Sequence, residues 1–217
     1  MNLALFDLDN TLLSGDTDVE WLDFLIGRGV VDRALRERNV EMDRRYRSGE
    51  TGALDYVRFY LSFYPPHAMR ELLDWRGAFF DERIRPRMLP AARELLENHR
   101  ADLVAIITAT NRFLTEPIAA AFGVEHLIAT EPQIAAGRFT GDVVGAPCMR
   151  EGKIEHLTRW LGERGQTLEE FAQSWFYSDS INDLPLLSRV THPVAVDPDE
   201  RLAALARERG WRTLSLR

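Results

Sequence analysis

Leu3-Ala4-Leu5-Phe6-Asp7-Leu8-Asp9-Asn10-Thr11 is the stretch on which the reading of this chain turns. Four apolar residues in unbroken succession, followed at once by polar and turn-prone ones, predict a buried strand of the parallel type. Asp7 and Asp9 fall at its C-terminal end, where open α/β sheets gather their ligands. Side chains alternate along extended backbone, so the two carboxylates lean the same way if the extension persists. Like charges held that close repel unless a cation or a proton joins them. A capping cluster is the plainer alternative, because Asp, Asn and Thr are ordinary at strand ends and helix starts.

Further along, the same pattern recurs. Leu103-Val104-Ala105-Ile106-Ile107 reads as a strand ending in Thr108-Ala109-Thr110-Asn111, and Trp175-Phe176-Tyr177 as one ending in Ser178-Asp179-Ser180-Ile181-Asn182-Asp183. Between them Gly152-Lys153-Ile154 opens an amphipathic helix with Ile154, Leu157 and Leu161 at helical spacing. Each element alone has a bland reading as a cap, a solvated lysine or an Asp-rich turn. Together they would face one crevice of a parallel sheet. Phosphoryl transfer suits such a set: a hard cation on carboxylate oxygens offsets charge, Lys and Thr hold phosphoryl oxygens, and a carboxylate attacks phosphorus. His67, His99, His126, His156 and His192 are scattered, and with a lone Cys148 they do not form a transition-metal pattern.

The order Asp7-x-Asp9-x-Thr11, Thr108, Lys153 and Asp179-x-x-x-Asp183 resembles the four motifs of the haloacid dehalogenase-like superfamily. The long stretch between the first two motifs is similar in size and place to the helical cap of its phosphoserine-phosphatase-like branch. Thr108-Ala109-Thr110-Asn111 and Tyr177-Ser178-Asp179-Ser180 further resemble a bacterial subgroup that includes histidinol-phosphate phosphatases. The resemblance implies a Mg²⁺-dependent phosphomonoesterase acting through an aspartyl-phosphate. In that scheme Asp7 is the nucleophile and Asp9 the general acid and base. Thr108, Ala109, Lys153 and Asn182 bind the phosphoryl group. Asp7, Asp179 and the main-chain carbonyl of Asp9 hold the metal, and Asp183 orients Lys153 or a metal-bound water. Asp9 also argues against carbon–halogen cleavage, since the dehalogenase members lack a second acidic residue there.

Strands alternating with helices predict an α/β fold with a doubly wound, mainly parallel, Rossmann-like sheet and a helical cap inserted after the first strand. The expected division is residues 1–13 and 86–217 for the catalytic core and 14–85 for the cap. Within the cap, Trp21, Phe24, Tyr56, Phe59, Tyr60 and Phe63 fit a packed helix–helix core better than a ligand slot. Ile128 to Val144, punctuated by glycines, predicts a β-hairpin or flap, and the tail predicts a helix near Leu184–Leu187, strands at Val194–Val196 and Trp211–Leu216, and a helix between them.

At 217 residues, 45% hydrophobic and with a formal net charge of −7, the chain reads as globular and ill-suited to a non-specific grip on nucleic acid. No apolar run is long enough for a bilayer, the first core strand follows Met1 directly, and a single cysteine fits a reducing compartment, so a cytoplasmic enzyme is expected. The expected partner is a small-molecule phosphate monoester. Asp16 and Asp18 are candidate specificity residues for an amine on the leaving group, which suits histidinol phosphate and also phosphoserine or phosphoethanolamine. Both also fit helix N-caps ahead of Trp21; that reading is preferred for Asp18, and substrate contact for Asp16. Arg44, Arg45 and Arg47 read as a solvated run. A phosphotransferase of the same superfamily is an alternative. A phospho-acceptor signalling domain is a less suitable one, because here the acceptor sits on the first strand.

Overall fold

The structure is a computed structural model describing residues 1–217. Leu3–Phe6 forms β1 and is buried throughout, because both faces of the strand are covered. Ala4 and Phe6 pack into one apolar core, Leu3 and Leu5 into the other. The remaining strands are β2 (Leu103–Asn111), β3 (His126–Thr130), β4 (Pro132–Ala135), β5 (Arg138–Val143), β6 (Ser174–Ser178), β7 (His192–Val196) and β8 (Arg212–Leu214). Six of them form one parallel sheet in the order β3-β2-β1-β6-β7-β8. The chain winds outward from β1 in both directions, so the ends of β1, β2 and β6 meet at the point where the winding reverses.

Nine helices complete the fold: α1 (Thr17–Gly27), α2 (Leu35–Ser48), α3 (Ala53–Leu61), α4 (Met69–Phe79), α5 (Pro90–Glu97), α6 (Arg112–Phe122), α7 (Glu151–Gly162), α8 (Leu184–Leu187) and α9 (Glu200–Arg209). Apolar residues of α5 and α6 join the core on the Phe6 face, those of α7, α8 and α9 the core on the Leu5 face. This is the doubly wound α/β arrangement expected from the alternation of elements.

The first four helices lie between β1 and β2. The chain leaves the sheet region at Leu13 and returns at Met88, where the two passes form an antiparallel bridge. Ser14 N–H donates to the Arg87 carbonyl at 2.9 Å and Leu89 N–H to that of Leu12 at 3.3 Å, so exit and entry are laced together. Inside the helical unit, Trp21 meets Phe79 edge-on at 5.0 Å and Phe24 meets Phe79 at 5.5 Å. Most of the aromatic residues there are packing, as expected for a small unit that must bury area with few residues.

Two predicted elements differ. The second core strand runs on through Thr108-Ala109-Thr110-Asn111, because its pairing with β3 slips between Thr108 and Asn111. Such irregularities re-aim side chains next to functional sites. The segment 128–144 is also divided. Ile128, Ala129 and Thr130 are buried and belong to the main sheet, so only β4 and β5 make the hairpin. That hairpin leans on α3, where the Arg58 guanidinium donates to both carboxylate oxygens of Asp142 at 3.0 and 2.8 Å.

One glycine is required by contact. A Cβ on Gly152, in the first turn of α7, would lie 2.1 Å from the Pro147 carbonyl oxygen. The loop before α7 therefore folds back against the helix start, fixing where Lys153 begins its reach. Gly152→Ala should cost about 1–3 kcal/mol by overpacking, read as a fall of at least ~2–4 °C in thermal midpoint. An unchanged midpoint would show that the loop yields freely.

Candidate active site

Lys153 is the centre of the site. It is 2% exposed, and its ammonium donates to Asp7 Oδ1 at 2.7 Å and to Asp183 Oδ2 at 2.6 Å. Asp7 comes from the end of β1 and Asp183 from the turn after β6, strands that are neighbours in the sheet. Lys153 reaches them from α7, on the Leu5 face. Ser178 Oγ donates to the same oxygen of Asp183 at 2.7 Å and settles its orientation. Thr11 links the next pair: its hydroxyl lies 3.3 Å from Asp7 Oδ2 and 3.2 Å from Asp179 Oδ1, and it accepts from the Asp179 N–H at 3.1 Å. Asp7, Lys153, Asp179 and Asp183 are thus brought together.

Asp9 has a different environment. Its Oδ1 accepts from both the backbone N–H (2.8 Å) and the hydroxyl of Thr17, at the start of α1. Its Oδ2 accepts from the Thr110 hydroxyl at 2.7 Å. Neither oxygen bonds to Lys153. The two carboxylates of the first motif are therefore sorted, one to an ammonium and one to hydroxyls.

The electrostatics follow from burial. Burial pushes the Asp7 carboxyl up to about 7, with Asp183 adding to the rise and Lys153 opposing it. Asp179 is pushed up to about 8 by burial and then by the charges of Asp7 and Asp183. Asp9 is raised to about 6 by burial and by Asp16, while Thr17 and Thr110 hold it down. Burial works against the Lys153 ammonium, yet Asp183 and Asp7 keep its pKa above the ordinary value. Two carboxylates bond to the one ammonium while Asp9 and Asp179 lie beyond it, leaving a surplus of negative charge that asks for a cation. No three Asp, Glu, His or Cys side chains form a closed metal cage. Asp7 and Asp179, linked through the Thr11 hydroxyl, supply the oxygens on hand. That set fits Mg²⁺, which takes one or two carboxylates and keeps positions for water and phosphate.

The other expected residues are placed less uniformly. Thr108 is buried, and its hydroxyl accepts from the Thr110 N–H at 3.2 Å. The Ala109 carbonyl accepts from Thr130 Oγ1 at 2.7 Å. Asn182 Oδ1 accepts from Arg150 Nε at 3.3 Å. The capping preference is reversed: Asp16 is the N-cap of α1, accepting from the Val19 N–H at 3.0 Å. Asp18 lies inside the helix, and its buried Oδ1 has no hydrogen-bond partner. The helix starts one residue after Asp16, which gives the capping position to Asp16. Arg44 and Arg47 pair with Glu41, Glu50 and Asp43 on the exposed side of α2, as a solvated run should. Thr17 and Arg150 lie outside every sequence motif. Thr11, Thr110 and Ser178 fall inside the motifs, where hydroxyls at strand ends are the readable signal.

Comparison with known proteins establishes the family. The haloacid dehalogenase-like hydrolase family matches residues 4–188. A histidinol-phosphatase of Neisseria meningitidis serogroup C is 40% identical over 100% of this chain and 99% of its own length. The phosphoserine phosphatase SerB1 of Mycobacterium tuberculosis is 34% identical over 96% of this chain and 68% of its own. A crystal structure of a protein of unknown function from Bordetella pertussis superimposes with a TM-score of 0.95 at 44% identity, covering 100% of this chain and 99% of that one. The chain belongs to the haloacid dehalogenase-like hydrolases. Within that family it is a phosphatase. No helix is long and apolar enough to cross a membrane.

A pH dependence follows for the metal-free protein. The carboxyls of Asp7 and Asp179 sit at about 7 and about 8, above the ordinary 3.8, so the folded chain holds these protons longer than the unfolded one. The resulting stability is fully present below about pH 4 and is lost as pH rises through about 7 and 8. A divalent cation on the same oxygens competes with protons and gains effect over that window. After EDTA treatment the thermal midpoint should be lower at pH 8 than at pH 6, and added Mg²⁺ should raise it more at pH 8. Asp179→Asn should flatten both differences. An equal Mg²⁺ shift at the two pH values would place the ion elsewhere.

Proposed function

We propose that this phosphatase hydrolyses a small, amine-bearing phosphate monoester, with histidinol phosphate as the leading substrate, in two steps at Asp7. The Asp7 carboxylate attacks phosphorus, the bond from phosphorus to the alcohol oxygen breaks, and protonated Asp9 gives its proton to that oxygen. Asp9, now ionised, takes a proton from water as the water oxygen attacks the aspartyl-phosphate. The bond between phosphorus and Asp7 then breaks, releasing inorganic phosphate. Lys153, Thr108, Ala109 and Asn182 hold the phosphoryl oxygens, and Asp183 keeps Lys153 in place. Mg²⁺ bound by Asp7, Asp179 and the Asp9 carbonyl would supply positive charge against the dianionic phosphate.

The observation that carries this reading is the separation of the two carboxylates: Asp7 on an ammonium at 2.7 Å, Asp9 on hydroxyls. Two carboxyls in unlike surroundings divide naturally into a nucleophile and a proton carrier. The amine preference draws on Asp16 and Asp18 at the start of α1, where the unpartnered Asp18 oxygen suits an ammonium best. It also draws on the 40% identity to a protein named histidinol-phosphatase. Phosphoserine is the second reading, favoured by the name of the 34% identical mycobacterial relative.

Purified protein with Mg²⁺ should release phosphate from histidinol phosphate faster than from sugar phosphates. Chelation should silence it and Mg²⁺ restore it. Asp7→Asn should abolish turnover with the fold intact by circular dichroism, and Asp9→Asn should slow it ~10²–10⁴-fold. Asp18→Asn should lower kcat/KM for the amine-bearing ester roughly 10- to 100-fold, the worth of a charged hydrogen bond. Equal rates on amine-bearing and sugar phosphates would overturn the substrate assignment.

A further inference from the structure

Arg150 precedes Lys153 by three residues and makes no ion pair. Its Nε donates to Asn182 Oδ1 at 3.3 Å, and its guanidinium carbon lies 4.5 Å from the centre of the Tyr46 ring. The backbone of Arg150 has φ +50° and ψ −121°, a combination suited to glycine and strained for any residue with a side chain. The tight approach of Pro147 to Gly152 holds the loop in that shape. Tyr46 belongs to α2, in the helical unit between β1 and β2, so this contact crosses from that unit to the sheet. Tyr46 is 3% exposed, yet its hydroxyl has no hydrogen-bond partner. Its ring packs at a tilt against that of Tyr56, the centroids 4.6 Å apart, which leaves it little freedom to turn.

A half-buried guanidinium with unused N–H groups and a buried phenol with an unused O–H therefore sit together, beside the residue that adjoins Asp183. Donors in that arrangement are complemented by an oxyanion. Lys153 alone is a poor reader of incoming anions, because Asp7 and Asp183 already occupy its ammonium. We propose that Arg150 and Tyr46 form an oxyanion-binding site across the seam, taking a substrate oxygen that is either on the phosphoryl group or on a leaving-group carboxylate. The proposal rests on the phosphatase reading and adds a second positive pole to it. An anion bound there would tie α2 to the start of α7, closing the seam as substrate enters.

Inorganic phosphate titrated calorimetrically into Mg²⁺-loaded protein tests the phosphoryl arm. Arg150→Ala should weaken phosphate binding at least tenfold and Tyr46→Phe severalfold. Arg150→Lys should recover part of the loss, since it keeps charge without the planar fork. The carboxylate arm is read by competition against p-nitrophenyl phosphate hydrolysis. If phosphate affinity is unchanged but phosphoserine competes at least tenfold less well in Arg150→Ala, while phosphoethanolamine competes as before, the oxygen belongs to a leaving-group carboxylate. Phosphate affinity and both competitions within twofold of the parent, in Arg150→Ala and Tyr46→Phe alike, would overturn the proposal. The amine assignment fails on substrate preference and this one on phosphate affinity or competition, so the two failures are distinct.

Discussion

An ammonium clasped between two carboxylates at 2.7 and 2.6 Å, in a place solvent barely reaches, governs the rest of this molecule. Burying a charge costs several kcal/mol unless it is paired and hydrogen-bonded. Lys153 is paired twice, and through those pairs α7 is joined to the ends of two neighbouring strands, β1 and β6. Stripping either partner from such an arrangement is worth about 3–5 kcal/mol of destabilisation, most of it the penalty of the charge left behind. The cluster is nonetheless incomplete as a set of charges. Asp7, Asp9, Asp179 and Asp183 outnumber the one cation, and burial pushes the carboxyls of Asp7 and Asp179 up to about 7 and about 8. A fold that concentrates like charge in this way stores a preference for whatever neutralises it.

The same economy of contacts ties Asp9 to the helical unit. Both donors to its Oδ1 come from Thr17, the first residue of α1, and the donor to its Oδ2 comes from Thr110, where the β2–β3 pairing slips. Asp16 caps the same helix, and its charge is the largest contribution after burial to the raised pKa of Asp9. Any shift of α1 against the sheet would alter the bonds that position Asp9, the proposed proton carrier. Helix start and the placement of Asp9 are therefore one structural problem, solved at the point where the chain leaves the core near Leu13.

What could be read from the sequence was the chemistry whose backbone position is dictated locally. Asp7, Lys153, Asp179 and Asp183 follow apolar runs or open an amphipathic pattern, and a parallel sheet places such strand ends side by side. Side chains whose meaning comes from a distant partner were less legible. Thr17 and Thr110 matter because both converge on Asp9, 8 and 101 residues away respectively, and no periodicity announces that. Asp16 and Asp18 exchanged capping roles because the N-cap depends on the helix boundary to the residue, the part of a helix that pattern fixes least. The expected hairpin lost Ile128–Thr130 for a related reason. An apolar triplet before a polar hairpin is compatible with either sheet, and burial against β2 decides it.

Outside the Lys153 ion pairs and Asp179, the acidic and basic groups around the site lie at the starts of two different helices. Asp9, Asp16 and Asp18 gather at the start of α1, where Asp18 keeps a buried oxygen without a donor. Lys153 and Arg150 gather at the start of α7. With a net charge of −7 the protein as a whole repels phosphates, so recognition has to come from this local asymmetry. On the proposed function, a ligand carrying phosphate at one end and ammonium at the other satisfies both poles only in one orientation, with phosphorus toward α7 and nitrogen toward α1. A sugar phosphate satisfies the first pole alone and leaves the Asp18 oxygen unpaired. Discrimination of that kind rests on the unmet hydrogen-bonding capacity of a buried carboxylate, which is a stronger filter than the size of an apolar pocket.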